Sequence, residues 1–229
     1  VTAARSVPSA RPFVPRRTLA TGVLFVIGSA LFALGAILDV LRDQPELAGW
    51  TYFIGSIFFT TAAALQWLSS RAEVVREPSD DLERRVLERA RNVDWSSAAI
   101  QLVGTVLFNV STVRAATLED LSVQQENQLV WAPDGYGSIL FLVSSLLAFM
   151  PEVRARRHAH ARSRSWRIAA LNVAGSVFFG LSAIGAFTLA ESGDLLNTRW
   201  SNLGTFLGAL CFLVAAAMLT RPSREQAPT

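Results

Sequence analysis

The sequence contains no lysine: its 21 basic residues are all arginine, set against 18 acids for a formal net charge of +3. A single cysteine, Cys211, excludes an intrachain disulfide and any cysteine-based zinc site within one chain. The only two histidines, His158 and His160, both fall in the arginine-rich run RARRHAHARSRSWR (154–167). No apolar segment therefore holds a histidine to activate a serine, and no HExxH pattern occurs. Residues two apart on a helix also face different ways, which makes the pair a poor metal site. Paired carboxylates at helical spacing, a glycine-rich phosphate loop and a dinucleotide fingerprint are missing as well. The expectation is a protein that is not an enzyme and has no cofactor and no metal. Charge is scarce overall: 17% of the 229 residues are charged and 51% hydrophobic, with mean hydropathy +0.35. A soluble domain of this length does not need that balance.

What is present is six apolar stretches, at 19–41, 50–68, 95–113, 133–150, 166–190 and 200–219. Each approaches the roughly 20 residues needed to cross a hydrocarbon layer. None alternates with period two, so each can satisfy its backbone in lipid only as a helix, and the fold class is an all-α membrane protein with six transmembrane helices. The first stretch follows Arg16 and Arg17 and runs on to Asp39. It exceeds the roughly 7 to 15 apolar residues of a secretory leader and reads as the first span.

Loop charge orients these spans. Arginines number four in 1–18, six in 70–94, six in 151–167 and two in 221–229, whereas the alternate connections hold only Arg42, Arg114 and Arg199. Positively charged loops stay inside, so both termini are expected to be cytoplasmic. The inner segments carry 18 arginines and nine acids, or +9; the outer ones, with Asp39, carry three arginines and nine acids, or −6. The small net charge hides a strong asymmetry. The expected organisation is an inner tail (1–18), a first hairpin (19–70), an inner amphipathic linker (71–94), a second hairpin (95–150), an arginine-rich inner loop (151–165), a third hairpin (166–220) and a tail (221–229).

The hairpins repeat one another. Odd spans contain IGSALFALGAI (27–37), VGTVLFNVSTV (103–113) and AGSVFFGLSAI, which aligns Gly28, Gly104 and Gly175, then a small hydroxyl residue, then Phe32, Phe108 and Phe179. Even spans contain GSIFFTTAA, GSILFLVSS and GALCFLVAA, which aligns Gly55, Gly137 and Gly208 with Phe59, Phe141 and Phe212. Gly and Phe four apart share a helix face, where the missing side chain admits a neighbouring backbone and the ring fills the space beside it. Gly204 and Gly208 add a GxxxG contact signal, within the monomer or between subunits. Two-helix repeats keep their orientation, so three tandem copies predict a pseudo-threefold bundle about the membrane normal.

The unit LNVAGSVFFGLSAIGAF (171–187) with NLGTFLGALCFLVAAAML (202–219) resembles the YrhK-like domain of bacterial membrane proteins, most closely over the last third of the chain. The resemblance implies a bacterial membrane protein of a family without assigned chemistry and brings no catalytic residues. The preference for arginine over lysine also fits a bacterial source, and the expected location is the cytoplasmic (inner) membrane.

Polar groups within spans are the candidates for function. Asp39 sits at the outer end of the first span, as an interfacial carboxylate in contact with water or Arg42, or as an ion or substrate contact. Gln101 and Asn172 each precede the repeat glycine by three positions, where the first copy has Phe25; Asn109 and Asn202 are the other amides. These either bridge helices by hydrogen bonds or line a polar pocket. Arg154, Arg156, Arg157, Arg162, Arg164 and Arg167 form a candidate patch for anionic lipid, or serve as the topology signal alone. No nucleic-acid partner is expected. From Ser79 or Asp80 to Arg91 a helix is predicted, with Leu82, Val86, Leu87, Ala90 and Val93 on one side, lying on the inner surface or against a partner. The outer connection 115–132 is polar and is either a docking loop or simply solvated. Two functions are consistent with this: a noncatalytic accessory or scaffold subunit of a larger membrane or envelope transport complex, in contact with membrane lipids and other membrane proteins, or a small transporter or channel for a neutral or lipid-like solute.

Overall fold

The structure, a computed structural model, describes residues 14–41, 45–70, 81–156 and 163–222. It is all-helical: α1 (Arg16–Leu41), α2 (Pro45–Ser69), α3 (Asp81–Thr117), a short α4 (Val123–Glu126), a π-helical turn (Asn127–Trp131), α5 (Ala132–Arg156), α6 (Arg164–Gly185) and α7 (Thr198–Leu219). Six helical stretches are long and apolar enough to cross a membrane. The protein is a multi-pass membrane protein by that measure. Pro45 opens α2, where a missing N–H costs nothing. Ser163 and Asn197 cap α6 and α7 by accepting from the backbone N–H of Trp166 and Trp200 at 3.0 Å.

Each long helix packs on two others in the order α1, α2, α3, α5, α6, α7, and α7 returns to α1, which closes a ring of six. The ring buries phenylalanines and small residues, several of them hydroxyl-bearing, and turns aliphatic side chains outward. Ile27, Ile54 and Val103 are 36, 46 and 55% exposed, while Ser29, Ser56 and Thr105, each two residues further on, are fully buried. Lipid tails are as apolar as these side chains, so the bundle gains little from hiding them and is held by close packing and interhelical hydrogen bonds.

Three element boundaries differ from the sequence reading. The fifth span was expected to reach 190 but α6 ends at Gly185, where a Cβ would lie 2.7 Å from the carbonyl oxygen of Asn197 and from the Ser201 nitrogen. The α7 N-terminus presses on the chain there, and 186–197 folds back instead as a turn with one bridge between Thr188 and Leu195. Gly193, at φ +74°, makes the reversal possible. The outer connection 115–132 is mostly helical, because α3 continues to Thr117 and a Ser122–Gln125 capping box starts α4. The linker helix and the third span are one 37-residue helix. No glycine or proline interrupts 81–103, so nothing in the sequence breaks it. Ser79 and Asp80, the expected caps, lie outside the described residues.

Candidate functional site

The repeat glycines and phenylalanines meet in the same way in three helix pairs. A Cβ on Gly28, Gly104 or Gly175 would lie 3.0, 3.2 or 3.1 Å from the carbonyl oxygen of Gly55, Gly137 or Gly208, and 2.8, 3.0 or 3.0 Å from the ring of Phe59, Phe141 or Phe212. The opposite view matches, with Gly55, Gly137 and Gly208 against Phe32, Phe108 and Phe179. Each pair thus crosses glycine on glycine, with two rings clasped across the contact. Gly204 lies against the Phe178 carbonyl and Ser182 of α6, so the GxxxG face is used within the chain.

The six rings converge at the centre. Phe59, Phe141 and Phe212 form a closed triangle with centroids 6.3, 6.1 and 5.7 Å apart, and Phe179 links Phe32 and Phe108 at 5.9 Å each. All but the tilted Phe32–Phe179 pair are edge-on, and such pairs contribute about 0.5–1.5 kcal/mol each beyond burial. Together they fill the bundle axis at mid-height.

Below this aromatic layer, toward the end where α1 begins and α2 and α7 finish, lies a cavity of about 440 Å³ lined by all six long helices. Three sets of aligned positions supply most of its wall. Seven residues before the odd-span glycines stand Thr21, Ser97 and Ile168; three before them stand Phe25, Gln101 and Asn172. Eleven after the even-span glycines stand Gln66, Ala148 and Leu219. One carboxamide therefore comes from each helix pair: Gln66 from α2, Gln101 from α3 and Asn172 from α6. Among the described residues none of these three amides makes a side-chain hydrogen bond. Ser97 is already engaged, donating to the Ser144 carbonyl at 3.0 Å.

The other candidates lie apart. Asn109 joins α3 to α2: it accepts from Ser56 Oγ and donates to Thr60 Oγ1, both at 2.5 Å. Asn202 lines a separate, mostly apolar groove between α7 and α1, with Ile37, Leu203 and Phe206. Asp39 is exposed near the C-terminal end of α1. In the arginine run, Arg164 donates to the carbonyls of Met218 and Arg221 and so caps α7. Arg154 and Arg167 are exposed, while Arg157, Arg162 and both histidines lie outside the described residues. Among the described residues no three His, Cys, Asp or Glu side chains come together.

Two features escaped the sequence reading. Gln66 sits in LQWLSS at the end of the second span, and the repeat alignment would have found it had the even spans been searched for amides. The second is a cap at the opposite end of the bundle from the cavity. Asn127 donates to the Thr188 carbonyl at 2.7 Å and accepts from the Thr188 N–H at 3.0 Å, as a strand would. Trp131 donates to the Ala183 carbonyl at 2.7 Å and stands edge-on to Phe187 at 4.9 Å.

Compared with family models, curated proteins and solved structures, the chain matches none. What the site does has to be argued from its own geometry. A polar recess closed at one end by rings, with Asp94 among its lining residues, can hold water or a small solute.

Proposed function

We propose that the chain is a noncatalytic protein of the bacterial cytoplasmic (inner) membrane that acts by association, as an accessory or scaffold subunit of a larger membrane or envelope transport complex. In this reading three tandem hairpin repeats form a pseudo-threefold bundle with both termini cytoplasmic. The three matching Gly–Phe crossings support the repeat, and the arginine distribution supports the orientation. Kinship with YrhK-like domains belongs to the same proposal and is supported by the motifs in 171–187 and 202–219.

The observation that carries the reading is the length of α3. At 1.5 Å per residue its 37 residues measure about 55 Å, against a hydrocarbon layer of about 30 Å. Its apolar span begins only at Arg91, so Asp81–Ala90 is a helical arm beyond it. Arg85 and Glu88 are exposed on this arm and Arg91 at its junction with the span, and in sequence Leu82, Val86 and Ala90, continued by Val93, follow a helical stripe. A charged arm with an apolar stripe suits a partner protein. Passage of a neutral or lipid-like solute is the second reading, favoured by the inner cavity, but the six rings stand across its path.

The test is affinity purification of the full chain from native membranes in a gentle detergent. A stoichiometric membrane partner is expected, lost in the Arg85→Glu/Arg91→Glu variant with no change in thermal unfolding. A lone monomer, or a partner retained equally by the variant, overturns the proposal.

A further inference from the structure

We propose that the inner cavity is a binding site for a small uncharged solute rich in hydrogen-bonding groups, an amide or a polyol. This goes beyond association and does not depend on it. The cavity is one recess at the bundle axis, about 440 Å³ in volume, with a carboxamide from each helix pair: Gln66, Gln101 and Asn172. Each amide offers two donors and a carbonyl acceptor. Among the described residues none finds a protein partner.

The contrast with Asn109 makes this informative. That amide, in the same bundle, is held at both ends by Ser56 and Thr60. The three amides are partly buried around the recess and, among the described residues, are left to be met by water or a ligand. Phe25 and Phe212 form the apolar wall of the recess, against which the carbon face of a solute can lie. No arginine is among the lining residues, which disfavours an anion, and the carboxylate in the lining, Asp94, already has an interaction of its own, which leaves the three amides as the groups open to a neutral solute. The amides supply donors and acceptors together, which fits a solute that carries both. Retention rather than passage follows from the ring layer above.

The experiment uses the full chain in lipid nanodiscs and saturation-transfer NMR, with glycerol, acetamide, choline and inorganic phosphate as probes. Glycerol or acetamide is expected to receive transfer, glycerol alone identifying a hydroxyl-rich ligand and acetamide alone an amide. The Gln101→Leu/Asn172→Leu variant is expected to bind the favoured probe at least roughly tenfold more weakly, as the loss of two hydrogen bonds implies. Asn202→Leu, outside the cavity, should bind normally. Should the double variant fail to fold, a nitroxide on Asn172→Cys in a Cys211→Ser background replaces it, and line broadening of the bound neutral probe is expected. Absence of transfer from both neutral probes, a preference for choline or phosphate, binding unchanged in the double variant, or no broadening overturns the proposal. The outcome is independent of whether a partner protein co-purifies.

Discussion

At Gly208 a Cβ would overlap Cδ1 of Phe179 and stand 3.0 Å from the carbonyl oxygen of Gly175. Neither neighbour can yield, since one is a ring wedged in the aromatic layer and the other is backbone. Gly208→Ala is therefore expected to cost about 1–3 kcal/mol, the usual penalty for overpacking. Gly180, on the neighbouring helix, has nothing within 4 Å of its own Cβ position. Gly180→Ala should be neutral or stabilise by up to about 1 kcal/mol through helix propensity. Reversible unfolding of both variants in detergent checks the difference, and equal losses would sink the crossing as the tight point. The glycines and rings were legible in the sequence because spacing four puts both on one face, and three copies repeat it. The fate of the amides was not. Asn109 is satisfied because Ser56 and Thr60 happen to face it from α2, whereas Gln101 and Asn172 face each other's cavity. That depends on which helix stands opposite, which no local pattern records.

Elements were legible in their apolar middles and not at their ends. Hydropathy finds where lipid begins, while a helix stops where its hydrogen bonds stop. Thus α3 runs on through charged Asp81–Ala90, and α6 halts at Gly185 though the chain stays apolar to Leu189. The polar connection 115–132 reads in sequence as either a docking loop or solvated chain. Among the groups that tie it down is one amide: both bonds from Asn127 go to the backbone of Thr188, a buried residue in the turn between α6 and α7. Asn127→Ala should remove both and leave the Thr188 N–H and carbonyl unpaired. The expected loss is about 1–3 kcal/mol at roughly 0.5–1.5 kcal/mol per bond. Faster hydrogen exchange at Thr188, with exchange in the α7 interior unchanged, is the signature. Protection unchanged at Thr188 would show that the strand-like pairing between Phe187 and Leu196, at 2.7 Å, holds the turn alone.

For the molecule as a whole, the ring of helices fixes which connections share an end. The α1 N-terminus, the α2–α3 and α5–α6 connections and the α7 C-terminus lie at one end if all six apolar helices cross, and these segments hold 18 of the 21 arginines. The other end holds Arg42, Arg114 and Arg199 with nine acids, and Arg114 there donates to the Leu129 carbonyl at 3.1 Å. At about 2.5–3.5 kcal/mol to bury one arginine at mid-membrane, moving the richer set across is far less favourable than moving the poorer. Alkaline phosphatase fused after Asp120 or Gly193 should accordingly be active, as an exported enzyme, and fused after Arg156 or Pro222 inactive. The opposite pattern would reverse the orientation and turn the polar cavity, with its three amides, toward the outside. A solute bound there would then be drawn from a different compartment, so the fusion result decides from which side the binding site is supplied.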